Sequence, residues 1–568
     1  MGFLFKYLKK YKAASIIGPL FKVIEVAFEL LVPLVVASII DSGIGGGNKA
    51  YIIKMCFVMA GLAAIGLAST LVAQYYSAKA AIGVATDMRH DLFAKIQSFS
   101  AKQSEKFGTS ALITSMTSDI NQIQAGVNIS LRLLLRSPFV VLGAMIMAFT
   151  VDVHAAIVFA VVIPILFAVV LLCINSTIPM FRNVQKKLSD VTVMIRENIT
   201  GTRVIRAFNN QETENREFTA ENENLSVLQK FAGAVSSIMN PATFFIINIA
   251  VIFLIRTGAV RVGMGLLTAG QVVALYNYMS QILVELIKFA NVTVSLSKTL
   301  ACSKRIEAVM NTETSLINVD TPSKSEDKKV VFDNVCFSYT GGEDAIDGIS
   351  FSAKPGETIG ITGGTGSGKT TVINLIPRFY DAKSGSVLID GHDVRSYDIK
   401  ELRGRIGVVP QKAALFTGTI RENILFGCDN ATDENLNEAI RVSQSEDVIA
   451  SKKNGLEETV GSSGLSGGQR QRLTIARALV KKPEILILDD SASALDYATD
   501  ARLRAAIKNL SWKPTVFIVS QRISAVMGCD RVLLLDDGKQ VGFAPHDELY
   551  QTSELYREIC DIQQGVGK

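Results

Sequence analysis

Six long apolar runs constrain this chain more than any other feature of its sequence. They lie in its first half, at about residues 15–42, 51–78, 128–150, 154–178, 233–260 and 266–290. A helix needs about 20 mainly apolar residues to cross the hydrocarbon core of a bilayer. Backbone polar groups there must be bonded internally, so runs of this length fold as helices. The chain has 568 residues, 48% of them hydrophobic, and a mean hydropathy of +0.30. It is too apolar for an ordinary soluble chain and too long for one soluble domain. The expected fold class is multi-domain. An all-α six-helix transmembrane domain (1–310) is followed by a polar linker (311–329) and an α/β domain of strand-like and helix-like runs (330–568).

The connections alternate in length. Spans 1–2, 3–4 and 5–6 are joined by short turns, whereas spans 2–3 and 4–5 are separated by about 50 polar, helix-prone residues each. Those longer stretches carry Lys79, Arg89, Lys95, Lys102, Lys106, Arg182, Lys186, Lys187, Arg203 and Arg206, and the first residues add Lys6, Lys9, Lys10 and Lys12. The positive-inside rule then places both long hairpins and both termini in the cytosol. A net charge of +5 is small for this length and gives no ground for nucleic-acid binding. Seven scattered cysteines without a CxxC pair read as small buried groups in a reducing compartment, and four histidines form no ligand spacing.

Several spans hold costly polar groups: Lys22, Glu25 and Glu29 in the first, Arg132 and Arg136 in the third, Gln281 and Glu285 in the sixth. Glu25 and Glu29 are four apart and share a helix face. Two readings stand: Glu25, Glu29, Gln281 and Glu285 line a substrate cavity, or the acids pair internally with Lys22 or Arg136. Pro33, Pro138, Pro164 and Pro241 are expected to kink their spans.

In the soluble half, Gly363–Thr370 fits GxxxxGK[ST] between a strand and a helix. Gly363, Gly364, Thr365, Gly366, Ser367 and Gly368 let backbone N–H groups turn inward around phosphate oxygens. Lys369 supplies a point charge, the Thr370 hydroxyl can bind Mg²⁺, and the helix from there, with Thr371, adds its dipole. ATP and Mg²⁺ are the implied cofactors.

The order of motifs over 330–568 resembles a nucleotide-binding domain of the ATP-binding cassette (ABC) transporters, and the six spans resemble that family's exporter-type membrane domain. By this resemblance Tyr339 stacks on adenine, Gln411 senses Mg²⁺, and Asp489 ends the acidic strand and orients Mg²⁺. Ser493–Asp496 matches the D-loop. Leu465, Ser466, Gly467, Gly468 and Gln469 spell the signature LSGGQ, which acts on a partner's ATP. Glu197–Phe208, ENITGTRVIRAF, resembles the second intracellular loop. Turns near Asp119 and Gly201 would be coupling helices.

Three departures follow. Efficient family members have Glu after the acidic-strand Asp, where this chain has Asp490. The shorter side chain withdraws the carboxylate by about 1.5 Å, and a misplacement near 1 Å can cost roughly 100-fold. The switch His is replaced by Gln521, which carries no titratable charge near neutral pH. The loop before the signature lacks the usual acidic residue after Val-Gly.

The expected protein is a half-transporter of the bacterial inner membrane, exporting a small molecule, lipid or peptide in the manner of multidrug or lipid exporters. Its own ATP site, with Asp490 and Gln521 in the catalytic positions, hydrolyses slowly. Its partner is a second half carrying Glu and His at the matching positions, with membrane lipids around both and no nucleic acid. The alternatives are a regulatory scaffold for an active partner and an importer with exporter architecture.

Overall fold

The structure is a computed structural model that describes residues 2–313, 316, 327–339, 342–428, 430–461, 464–491 and 493–564. Most of the expected linker, 311–329, lies outside the described residues. Two compact units emerge: residues 1–97 with 109–312, and residues 98–108 with 313–568.

The first unit is all helix. Six helical runs are long and apolar enough to cross a membrane: Gly2–Ile44, Lys49–Gln97, Thr109–Val151, Val153–Thr200, Gln211–Gly263 and Ala269–Met310. They are longer than the apolar runs because the polar hairpin residues continue the same helices. At 1.5 Å per residue, the Lys49–Gln97 helix extends roughly 73 Å, more than twice the hydrocarbon thickness of about 30 Å. Large apolar side chains such as Phe57, Leu67, Phe245 and Ile252 face outward, as lipid-facing surface requires. Val26, Ala144, Phe159, Leu254 and Tyr278 pack inward in one cluster.

Carboxylates tie the short turns together. Asp41 accepts from Gly270 N at 2.8 Å and from Thr268 Oγ1 at 2.5 Å. Asp152 accepts from Ala155 N at 2.8 Å and pairs with Arg261 at 2.6 Å. Pro33, Pro138 and Pro241 each stand in the first turn of a helical segment that restarts after an interruption: Val32–Ser38, Arg136–Val151 and Met239–Gly263. Proline is tolerated there because the first turn's N–H groups have no intrahelical acceptor. Pro164 lies inside the continuous Val153–Thr200 helix.

Asp119 is not at a turn, contrary to expectation. It lies in a helical stretch and is buried against Arg305, with bonds of 2.9 and 2.5 Å. The reversal falls earlier, at a short helix Ala101–Phe107 capped by Ser100 and Gln103. A polar hairpin has no apolar period to mark its tip, which is why its midpoint misleads. The second reversal is near Gly201 as expected, followed by a short helix Thr202–Ala207.

The second unit is a mixed sheet with helices. Its strands are β1 (Val330–Phe337), β2 (Ile346–Ala353), β3 (Thr358–Gly363), β4 (Ser384–Ile389), β5 (His392–Asp393), β6 (Ile406–Val409), β7 (Gly418–Thr419), β8 (Thr459–Val460), β9 (Ile485–Asp489), β10 (Thr515–Val519), β11 (Arg531–Asp536) and β12 (Lys539–Ala544). Ten form one sheet in the order β5-β4-β1-β2-β12-β11-β3-β10-β9-β6, and β7 pairs with β8. The block β11-β3-β10-β9-β6 is parallel, while β1, β2, β4 and β5 form an antiparallel wing. β3, β9 and β10 are buried along almost their whole length, as strands covered on both faces must be. Residues 98–108 pack with this unit. Tyr380 Oη donates to Glu105 at 2.8 Å, and Gln103 Nε2 donates to the Glu313 carbonyl.

Candidate functional site

The parallel register brings three chain segments to one end of the sheet. Val519 stands opposite both Ile361 and Asp489, so β3, β9 and β10 end side by side. In open α/β sheets ligands bind outside these carboxyl ends. There a cavity of about 380 Å³ is lined by Tyr339, Thr365–Thr371, Gln411, Asp489, Asp490 and Gln521.

The phosphate loop owes its path to glycine. Gly363 has φ +145°, and a Cβ there would stand 2.0 Å from the Leu535 carbonyl oxygen. Gly366 has φ +83°, and a Cβ there would meet nothing within 4 Å. The crest of the loop is therefore bare backbone beside open space, the arrangement that phosphate oxygens need. Lys369 is 8% exposed and folds back on the loop, donating to Gly363 O at 3.0 Å, to Gly364 O and to Ser367 Oγ at 3.3 Å. Burial pushes its ammonium below the ordinary lysine value, against the pull of Asp490 and Asp489.

Thr370 Oγ1 donates to Asp489 Oδ1 at 3.3 Å, so the hydroxyl and carboxylate expected to hold Mg²⁺ are adjacent. Burial raises the Asp489 carboxyl, the Thr370 bond opposes that, and Asp490 adds to it. Two carboxylates crowding one end of the cavity suit a divalent cation, whose charge would offset theirs. Gln411 Nε2 stands 3.4 Å from Asp490 Oδ2. Asp490 has a left-handed backbone, φ 44°, held by its N–H on Val519 O at 3.0 Å and by Ser493 N and Oγ on its carbonyl at 3.1 and 2.8 Å.

Tyr339 lines the same cavity. Its hydroxyl is 3.0 Å from Thr371 Oγ1, and its ring stands edge-to-face with Phe337 and Tyr380 at 4.9 and 5.3 Å. Tyr380 had no motif to mark it, and it connects this aromatic cluster to Glu105. Gln563 was also missed. It lies 42 residues beyond Gln521 in sequence, yet it donates to Gln521 O at 2.8 Å and accepts from Ile523 N at 2.8 Å. No local pattern could have shown a contact made only by the folded C-terminal helix Glu554–Gln564.

The signature residues Leu465–Gln469 do not line this cavity. Ser466 and Gln469 form a reciprocal cap on the Gly467–Leu479 helix, with bonds of 3.3 and 3.0 Å. Their side chains are committed to that cap; Ser466 and Gly467 are exposed at the helix start, and Gly468 is half-buried. In the membrane unit, Glu29, Gln281 and Glu285 line a second cavity of about 440 Å³. Glu25 is outside that lining and faces Lys22 and Arg136.

Residues 15–286 match the family model of the ABC transporter transmembrane region, and residues 346–493 match that of the ABC transporter. The chain is 35% identical to an uncharacterized ABC transporter ATP-binding protein of Bacillus subtilis, YfiB, over 98% of each chain. It is 27% identical to an ATP-dependent lipid A-core flippase of Salmonella typhimurium, over 98% of this chain and 96% of that one. Among solved structures, an ATP-bound bacterial Atm1-family ABC exporter shares the fold, with a TM-score of 0.81 at 22% identity over 98% of each chain.

Proposed function

The chain belongs to the ABC transporters, and on that premise we propose that it is one half of a heterodimeric, ATP-driven exporter whose own nucleotide site holds ATP and hydrolyses it slowly. One observation carries this reading: Asp490 and Gln521 line the same cavity as the complete set of binding residues, Tyr339, Lys369, Thr370, Gln411 and Asp489. Binding chemistry is retained while both catalytic positions are altered. In a homodimer both sites would be altered together. A partner with Glu and His would have a competent site, completed by this chain's Leu465–Gln469 turn.

Within this reading each residue has a defined task. The phosphate loop and Lys369 hold the phosphates, Thr370, Gln411 and Asp489 hold Mg²⁺, and Tyr339 offers its ring to adenine. Mg²⁺ would neutralise charge on the phosphates. Asp490 and Gln521 face the phosphate end with reduced capacity to position water. The slow site keeps the two soluble units together while the partner's site turns over, and that closure moves the membrane helices between inward- and outward-facing states. The sign of the relatives' activity, lipid flipping in the Salmonella protein, supports export of an amphiphile.

The deciding measurement compares ATP turnover by the purified chain with turnover by the chain plus the half that co-purifies with it. The pair should be faster by at least tenfold. Equal rates would end the heterodimer reading.

A further inference from the structure

Six charged groups on the first, third and sixth spans form one connected cluster inside the membrane unit. Lys22 pairs with Glu25 at 2.5 Å. Arg136 reaches Glu29 at 2.7 Å and Glu285 at 2.5 Å, with its Nε 3.9 Å from Glu25. Glu285 also accepts from Ser137 Oγ at 2.9 Å and from Lys288 Nζ at 2.8 Å. Three bases meet three acids, so the cluster is neutral as a whole. Neutrality matters because uncompensated charge is costly in a low-dielectric interior.

Its depth follows from helix length. At 1.5 Å per residue, Glu29 lies roughly 22 Å from the span end at Ile44, Arg136 roughly 22 Å from Val151, and Glu285 roughly 24 Å from Ala269. With the short turns on the outer side and a core about 30 Å thick, the cluster falls in the cytosolic half of the bilayer.

The second cavity opens on one side of this cluster. Glu29, Glu285 and Lys288 line it, and two of them are far more exposed than the rest of the cluster. The Glu29 and Lys288 side chains are 38% and 41% exposed, against 10% for Arg136 and 5% for Glu285. Glu29 bonds Arg136 through Oε2, which leaves Oε1 to accept another donor. Lys288 gives one N–H to Glu285 and has others to give. Gln281 lines the same wall, with its carbonyl oxygen buried and turned away from the open space. Val32, Pro33 and Val284 supply apolar wall.

We propose that this cavity binds the headgroup of a zwitterionic amphiphile, its ammonium at Glu29, its anionic group at Lys288, and its alkyl part along Val32, Pro33 and Val284. The inference rests on the exporter reading and names its substrate class. A headgroup of one sign would unbalance a neutral cluster in a medium that penalises excess charge. A headgroup carrying both signs leaves it neutral and meets both exposed groups, Glu29 and Lys288.

The test uses the full-length chain with its co-purifying half in lipid vesicles. Three lipids with the same photoreactive acyl chain carry phosphoethanolamine, phosphoglycerol or trimethylammonium headgroups. Labelling of first- and sixth-span peptides, read by mass spectrometry, does not depend on hydrolysis. The zwitterionic lipid should label at least fivefold more than either of the others. Glu29→Gln should shift the preference toward the anionic lipid and Lys288→Gln toward the cationic one. Equal labelling by all three, or a uniform loss in both variants, overturns the proposal. ATP-driven movement of the same lipids is followed in parallel. Transport without headgroup preference defeats this inference and leaves the exporter reading in place, whereas the predicted preference without transport defeats the exporter reading alone.

Discussion

Asp490 is held in a left-handed backbone at the edge of the nucleotide cavity, a conformation that Asp adopts more readily than most residues. Its carboxylate reaches Gln411 at 3.4 Å, and its carbonyl is fastened by Ser493. The backbone is therefore fixed, and reach into the cavity depends on side-chain length. Asp490→Glu with Gln521→His should raise single-turnover hydrolysis at this chain's own site by about 10- to 100-fold, measured in the pair with the partner's site inactivated. No increase would mean that something other than these two side chains limits the site. The motif residues were legible because phosphate binding demands glycine, lysine and hydroxyl at set spacing. Tyr380 and Gln563 were not, because a long-range contact carries no local signal.

The start of β9 illustrates how elements are held in register. Glu484 accepts from Arg405 Nε and Nη2 at 2.9 and 2.7 Å and pairs with Lys329, which in turn pairs with Asp390 at 2.9 Å. The group joins residues flanking β1, β4, β6 and β9. Bonds from Arg405 hold the Glu484 carboxyl down at about 2, from an ordinary 4.5, against burial and with help from Lys329. Its stabilising contribution is thus complete above 4.5 and disappears as the pH falls toward 2. Glu484 is partly exposed, so solvent screening limits the effect to below about 1 kcal/mol. Glu484→Gln should lower the melting temperature of the soluble unit by a few degrees at pH 7, and the gap from the unaltered chain should close between pH 4.5 and pH 2. A gap independent of pH would show that the pairing is not its cause. Strand order was hidden from sequence for a related reason: β3 lies between β10 and β11, which follow it by more than 150 residues.

At the scale of the whole molecule, the proposed orientation puts the short turns outside and the reversals at 98–108 and 201–210 inside. Single cysteines placed by Gly46→Cys and Ile205→Cys in a cysteine-free chain test it. A membrane-impermeant maleimide applied to intact cells should label position 46 and spare position 205; the opposite pattern would invert the topology and move the charge cluster to the outer leaflet. The number of spans, the α/β class of the second half and the motif residues that line its cavity could all be read from the amino-acid order. Bilayer thickness sets a minimum apolar length, and phosphate chemistry sets a local spacing, so both leave a record within a few consecutive residues. Tertiary structure alone decided that residues 98–108 pack with the soluble unit and that Arg136 gathers Glu25, Glu29 and Glu285 into one neutral cluster. Those depend on how distant helices and strands meet in space. For the buried acids in particular, sequence left cavity lining and internal pairing as rivals, and the fold uses Glu29 and Glu285 for both.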